Sequence, residues 1–270
     1  MITSVSNQMV KMACSLRHKK GRREHNLYSA EGIHLVTEAV KAGKAIRQFF
    51  WSEKLLSTAE GSDLLQLLTG KYPGIELSPP VMAKICETES PQGIVALLDL
   101  PPEAPLDLSG VKLGLIIDGL QDPGNVGTII RTAWAGGADC VILTANTADP
   151  YQGKVVRASM GGIFHQKIFR NISPALVMEA AVTAGQQIVA GFPDAPRSYF
   201  SVDLNPPTLL LVGNEGSGVA AEWEKRNLVC VYIPQPGNAE SLNVSVAAGV
   251  LIYEVIRQRL GKTAFHATQR

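Results

Sequence analysis

The second half of the chain is dominated by short, almost unbroken apolar runs: KLGLII, CVILT, QIVA, LLLVG and LVCVYI. Runs this short do not make helices. They also lack the alternation of a half-exposed strand, so they read as strands buried on both faces. Helical patterns lie between them, through Ile129 to Ala135, from Pro174 to about Ala184 and around Trp223, with a helical or loop stretch from Lys154 to Met160. Strand and helix in alternation predict an α/β fold, a parallel sheet covered on both sides. With 46% hydrophobic and 18% charged residues in 270, the chain has enough apolar material to bury such a sheet.

The first hundred residues are organised differently. A helix is expected from Ser6 to about Leu16, then a basic loop RHKKGRREH, then a helix opening near Glu31 and carrying Ile33, Leu35, Val36 and Val40. Strands are expected at Ile46 to Trp51, after the turn in KYPGIEL, and from Gly93 in GIVALLDL. These make a small α/β domain over residues 1–100. PPEAPLDLSG, residues 101–110, reads as a linker, leaving 111–270 as the second domain.

Net charge is only +1, yet residues 1–30 hold Lys11, Arg17, Lys19, Lys20, Arg22 and Arg23 against the single acid Glu24. Such a run is either a solvated segment or an arm that contacts phosphates. Cys14, Cys86, Cys140 and Cys230 form no CxxC pair and read as reduced core thiols, with no disulfide framework and no metal site expected. No apolar signal core or membrane-length apolar stretch is present, which places the protein in the cytoplasm.

The run from Ile233 to Leu260 passes from an apolar strand through a polar loop into a helix. Val244, Ala247, Ala248, Leu251, Ile252, Val255 and Ile256 recur on one helical face, with Glu254, Arg257 and Gln258 on the other. The loop before it holds Gly237, Asn238, Glu240, Ser241 and Asn243. Either Ser241 or Asn243 caps the helix, or the helix start is a binding surface.

Ligands of parallel sheets gather at the C-terminal ends of strands. Three loops at such ends, 118–131, 213–218 and 234–243, are loaded with glycine and polar residues. In the first, Asp122-Pro123-Gly124 suits a turn and Asn125 a cap, but neither explains Arg131 beside apolar Ile129 and Ile130. The second fits a dinucleotide fingerprint at Gly216-Ser217-Gly218, but its next strand ends Ile233-Pro234-Gln235 without the acidic residue that fingerprint needs. Glu215 stands where a hydrolase elbow needs glycine.

Taken in order, the three loops resemble the three motifs of the SpoU, or TrmH, family of RNA ribose 2′-O-methyltransferases. The likeness rests on Asn125, Gly127 and Arg131, on Gly213, Glu215, Gly216 and Gly218, and on Ile233, Pro234, Gly237, Ser241, Leu242 and Asn243. It takes in Lys154, Arg157, Ala158, Ser159 and Gly161 and spans about residues 112–260. Gln235 stands where the family usually has an apolar residue, and Gly162 where alanine is common. The N-terminal half resembles the L30e-like substrate-binding domain often fused to it, through Asn7, Lys11, the Lys20 to Arg23 cluster, Glu31-Gly32 and Gln92-Gly93-Ile94.

The resemblance implies a sheet with a deep trefoil knot, a homodimer formed through it, and S-adenosylmethionine as cofactor. It implies a cofactor site of Gly213, Asn214, Gly216, Gly218, Ile233, Pro234, Gly237 and Leu242, and a catalytic set of Arg131, Asn125, Glu215, Ser241 and Asn243. Lys19, Lys20, Arg22, Arg23, Lys154 and Arg157 would hold RNA, with 23S ribosomal RNA favoured over tRNA. Of the alternatives, intact Arg131, Glu215 and Asn243 argue against a catalytically silent RNA-binding relative and the missing acid against a nucleotide-dependent oxidoreductase, while an antibiotic-resistance methyltransferase shares the layout.

Overall fold

The computed structural model describes residues 1–264 apart from 215, 217, 224–227 and 238–240. Two compact units divide the chain: Met1–Pro102 with Asp149–His165, and Glu103–Ala148 with Gln166–Arg270.

The first unit opens with α1 (Gln8–Ser15), whose N-cap Asn7 accepts a hydrogen bond from the Met9 amide. Then come α2 (Lys19–His25), β1 (Leu27–Glu31), α3 (Ile33–Lys41), β2 (Ile46–Trp51), α4 (Ala59–Leu68), β3 (Gly74–Glu76), α5 (Pro79–Ile85) and β4 (Ile94–Asp99). The strands form a mixed sheet in the order β1-β4-β2-β3, in which β2 and β3 run parallel and the other pairs antiparallel. Phe50, Val95 and Leu97 pack with Leu16, Val81 and Met82 in its core. The stretch expected as a basic loop is therefore largely helical. Its sequence has no apolar periodicity to announce a helix, because its inward side chain is a charged one, Arg22.

The second unit carries β5 (Leu113–Ile117), α6 (Pro123–Ala135) and β6 (Cys140–Thr144). The chain then gives α7 (Gly153–Ala158) and α8 (Gly162–His165) to the first unit and returns as β7 (Lys167–Ile172), α9 (Pro174–Thr183), β8 (Gln187–Gly191), β9 (Thr208–Val212), β10 (Val229–Val231) and α10 (Val244–Ala264). The six strands are all parallel, in the order β10-β8-β9-β5-β6-β7. Every residue of β5, β6 and β9 is buried, as strands covered on both faces must be. Trp223 sits in this core at a bend, and residues 224–227, over which the expected helix would continue, lie outside the described residues.

Two of the expectations for this unit, those for Cys230 and Glu254, need restating. Cys140 is a core thiol, its pKa pushed up to about 12 by burial, whereas Cys230 is only half-buried. The α10 face of Val244, Ala248, Leu251, Ile252 and Val255 is buried as expected. Glu254, placed by periodicity on the outer face, is buried as well, because Arg257 and Gln258 hold its carboxylate at 2.8 Å and make burial affordable.

The segment Asp149–His165 completes the first unit. Asp149 pairs with Arg22 at 2.6 Å, the Tyr151 ring lies 4.9 Å from that of Tyr28, and Arg157 reaches Glu87 at 3.0 Å. Among the described residues no helix is long and apolar enough to cross a membrane.

Candidate functional site

The order of the parallel sheet changes direction between β5 and β9, and the loops leaving those two strands are tied together there. Asp118, at the end of β5, is buried. One carboxylate oxygen accepts the Thr144 hydroxyl at 2.6 Å, the other the Ala220 amide at 2.6 Å, and the Asp118 amide donates to the Val212 carbonyl at 2.9 Å. Asn214 Nδ2 adds a bond to the Gly119 carbonyl at 3.2 Å. One buried acid thus fixes the 118–122 and 213–220 loops. It was not singled out in the sequence, where an Asp-Gly pair after a strand looks like turn chemistry alone.

The loop after β9 doubles back on itself. The Asn214 amide donates to the Gly218 carbonyl at 2.7 Å and the Gly218 amide returns the bond at 2.9 Å, while the Asn214 side chain accepts from the Gly216 amide. A Cβ on Gly213 would collide with the Gly218 carbonyl, so only glycine allows this closure. Glu215, expected in the catalytic set, lies outside the described residues, as do Asn238 and Glu240 of the third loop.

At the start of α6 the cap is Asp122, which accepts from the Asn125 amide at 2.8 Å, with Pro123 in the first turn. Asn125 is thereby released from the capping role its position suggested. Its Oδ1 instead accepts Asn243 Nδ2 at 3.1 Å, joining the first loop to the third. Asn243 also caps α10, accepting the Ser245 amide at 2.9 Å and the Ser245 hydroxyl at 2.6 Å. The same side chain thus caps α10 and ties the third loop to the first. Arg131, some two turns along α6, is exposed, and its side chain makes no hydrogen bond or ion pair among the described residues.

Beside these loops a cavity of about 360 Å³ opens at the C-terminal ends of β8, β9 and β10. Gly213, Asn214, Gly216, Gly218, Ile233 and Leu242 line it, together with Ser241 from the proposed catalytic set. Pro234 and Gly237 are not among its lining residues. Gly191, Phe192 and Pro193 complete one wall and were missed, because β8 ends without any motif; the signal available was only that β8 ends at the same edge of the sheet. Gln235 also faces the cavity, and its Oε1 is buried with no hydrogen-bond partner. Among the described residues no three His, Cys, Asp or Glu side chains are grouped to hold a metal ion.

In the first unit the basic residues divide by helix face. Lys19, Lys20 and Arg23 on α2 are exposed. Arg22 turns inward, giving Nη1 to the Leu16 and Arg17 carbonyls at 2.8 and 3.0 Å and both Nε and Nη2 to Asp149. Its guanidinium is consumed by the fold, which removes it from the expected RNA-binding set. Arg157 is likewise engaged by Glu87 and, at 3.8 Å, by Glu31, whereas Lys154 is exposed.

Comparison with known proteins agrees with this layout. Residues 112–253 match the model of the SpoU rRNA Methylase family, and residues 7–96 match the MRM3-like substrate binding domain. The chain is 37% identical to the 23S rRNA (guanosine(2553)-2′-O)-methyltransferase RlmP of Bacillus subtilis, over 94% of this chain and 98% of that one. It is 33% identical to the 23S rRNA (uridine(2479)-2′-O)-methyltransferase of Streptomyces viridochromogenes, over 97% of this chain and 94% of the other. Among solved structures, the SpoU methyltransferase AviRb from Streptomyces viridochromogenes, in complex with AdoMet, superposes with a TM-score of 0.84 at 30% identity, covering 94% of this chain and 99% of that one. The AdoMet-bound rRNA methyltransferase of Sinorhizobium meliloti gives 0.82 at 31% identity, covering 96% and 98%. Fold and site together define an α/β protein with a ligand cavity at the edge of a parallel sheet. The chain belongs to the SpoU rRNA methylase family.

Proposed function

We propose that this protein transfers the methyl group of S-adenosylmethionine to the ribose 2′-hydroxyl of one nucleotide in 23S ribosomal RNA, acting in the cytoplasm as a homodimer. The observation that carries the reading is the meeting of loops. Leu242 and Val244 line the cavity, while Asn243 between them bonds to Asn125 at the start of the helix that presents Arg131.

The cavity suits the cofactor. Its volume lies in the range of small-molecule sites, Ile233, Leu242, Val244 and Leu251 offer apolar walls to a flat purine, and glycines keep side chains away from the backbone groups that would hold it. The buried, unanswered Gln235 Oε1 supplies a polar contact. Bound there, the cofactor provides an electrophilic methyl group on a sulfonium.

The residues around it supply orientation, which is worth much of the rate in a displacement of this kind. Arg131 binds the phosphate next to the target ribose and stabilises the charge that grows on its 2′-oxygen. A guanidinium keeps its proton in proteins, so Arg131 acts as a cation rather than as the base; as the methyl leaves sulfur for the 2′-oxygen, the hydroxyl proton passes to solvent water. Asn125 and Asn243 hold the first loop to the third and so fix where that ribose lies, with Ser241 and Glu215 completing the set. Lys19, Lys20, Arg23 and Lys154 hold RNA backbone, which positions the substrate without reading its sequence.

The dimer reading is supported by α10, where Val246, Tyr253 and Leu260 are exposed at intervals of seven residues, and by exposed Trp134 on α6, which packs against it. Such spacing keeps an apolar stripe on one helical face.

The test is incubation with methyl-labelled S-adenosylmethionine and total bacterial RNA, followed by digestion and mass identification of the labelled nucleoside. Label is expected in one 2′-O-methylnucleoside of 23S rRNA and is lost in Arg131→Ala. Label in tRNA would move the substrate, and no transfer despite cofactor binding would favour the silent RNA-binding relative.

A further inference from the structure

Apolar groups make up most of the cavity wall, and within it one polar atom is both sealed from water and unanswered by the protein. That atom is Gln235 Oε1. A buried amide oxygen without a donor is costly to the folded protein, and native structures retain few of them. Other buried side-chain polar atoms also lack partners, those of Arg17, Gln166, Gln186, Ser198 and Trp223, but none of these residues lines this cavity. Gln235 follows two residues behind Ile233, and both residues line this space.

Resting on the cofactor reading above, we propose that Gln235 is a specificity residue of the site, its side-chain oxygen accepting a hydrogen bond from an N–H group of the bound ligand. The ligand class it selects is a nucleoside-type cofactor carrying such a donor in the buried part of the molecule. S-adenosylmethionine has two groups of this kind, the 6-amino group of the adenine and the α-ammonium of the amino-acid moiety, and Gln235 answers one of them. The arrangement carries a signature that a purely architectural glutamine would not have: the empty protein is less stable for keeping the oxygen, and the loaded protein is tighter for it.

Calorimetric titration with S-adenosylhomocysteine, 5′-methylthioadenosine and S-inosylhomocysteine, on the unaltered protein and on Gln235→Met, separates the possibilities. The apolar side chain of similar length is expected to weaken S-adenosylhomocysteine binding roughly threefold to tenfold, the worth of one net hydrogen bond, while raising the Tm of the ligand-free protein. The penalty disappears for S-inosylhomocysteine if the adenine amine is the donor, and for 5′-methylthioadenosine if the ammonium is. Equal affinity of the two proteins for S-adenosylhomocysteine, or a lowered ligand-free Tm in Gln235→Met, overturns the assignment and leaves the cofactor reading standing. If the unaltered protein binds none of the three ligands, the cofactor reading falls and the assignment falls with it.

Discussion

Arg22 and Arg23 are adjacent in the chain and face opposite ways on α2, one committed to Asp149 and the other exposed. Their substitutions should therefore be told apart by different measurements. Arg22→Ala removes a buried cation from a half-buried carboxylate and from two backbone carbonyls and should cost up to about 3–5 kcal/mol in chemical denaturation. Joint replacement of Lys19, Lys20 and Arg23 by alanine should leave the denaturation midpoint nearly unchanged, weaken RNA binding and flatten its dependence on salt. An unaltered salt slope would remove those three from the RNA surface. Nothing in the sequence could have divided this cluster, because the acid that claims Arg22 lies 127 positions away. The same holds for Asp118, whose partners Thr144 and Ala220 come from the end of β6 and from the loop after β9. Asn125 and Asn243 stood out in the sequence as candidate site residues, but their bond to each other was not legible there.

Elements were legible in proportion to how completely their environment is apolar. β5, β6 and β9 could be read directly because burial on both faces leaves no polar residue to interrupt the run. α2 could not, since its stability rests on side-chain bonds from Arg22 to distant groups. On α10 the helical face was legible and Glu254 was the exception. Its carboxyl is held below the ordinary glutamate value chiefly by the hydrogen bond from Arg257, with burial opposing the shift. A lowered folded pKa gives stability that is present above the unfolded value and lost as pH falls through the folded one. An acid titration of stability should accordingly show a loss beginning below roughly pH 4, and Glu254→Gln should shrink that loss while lowering stability at neutral pH. Identical acid profiles for the two proteins would show that the Glu254 contact contributes nothing in the unfolding equilibrium.

At the scale of the whole molecule, the exposed stripe of Val246, Tyr253 and Leu260 is the feature most at odds with a protein that stays a single chain. Sedimentation should give twice the 28.9 kDa of the chain, and Tyr253→Asp should shift the distribution towards the monomer. A monomeric mass for the unaltered protein would end the dimer reading. The knot implied by family resemblance has no counterpart in spacing or composition, since threading leaves no local mark on a sequence. The separation into units was harder still to read. Asp149–His165 leaves the parallel sheet between β6 and β7 and supplies Asp149 to Arg22, Tyr151 to Tyr28 and Arg157 to Glu87. During synthesis, then, the N-terminal unit emerges with a buried cation and an aromatic face still unmet, and it can close only after His165 has left the ribosome, when two strands of the other sheet are already out.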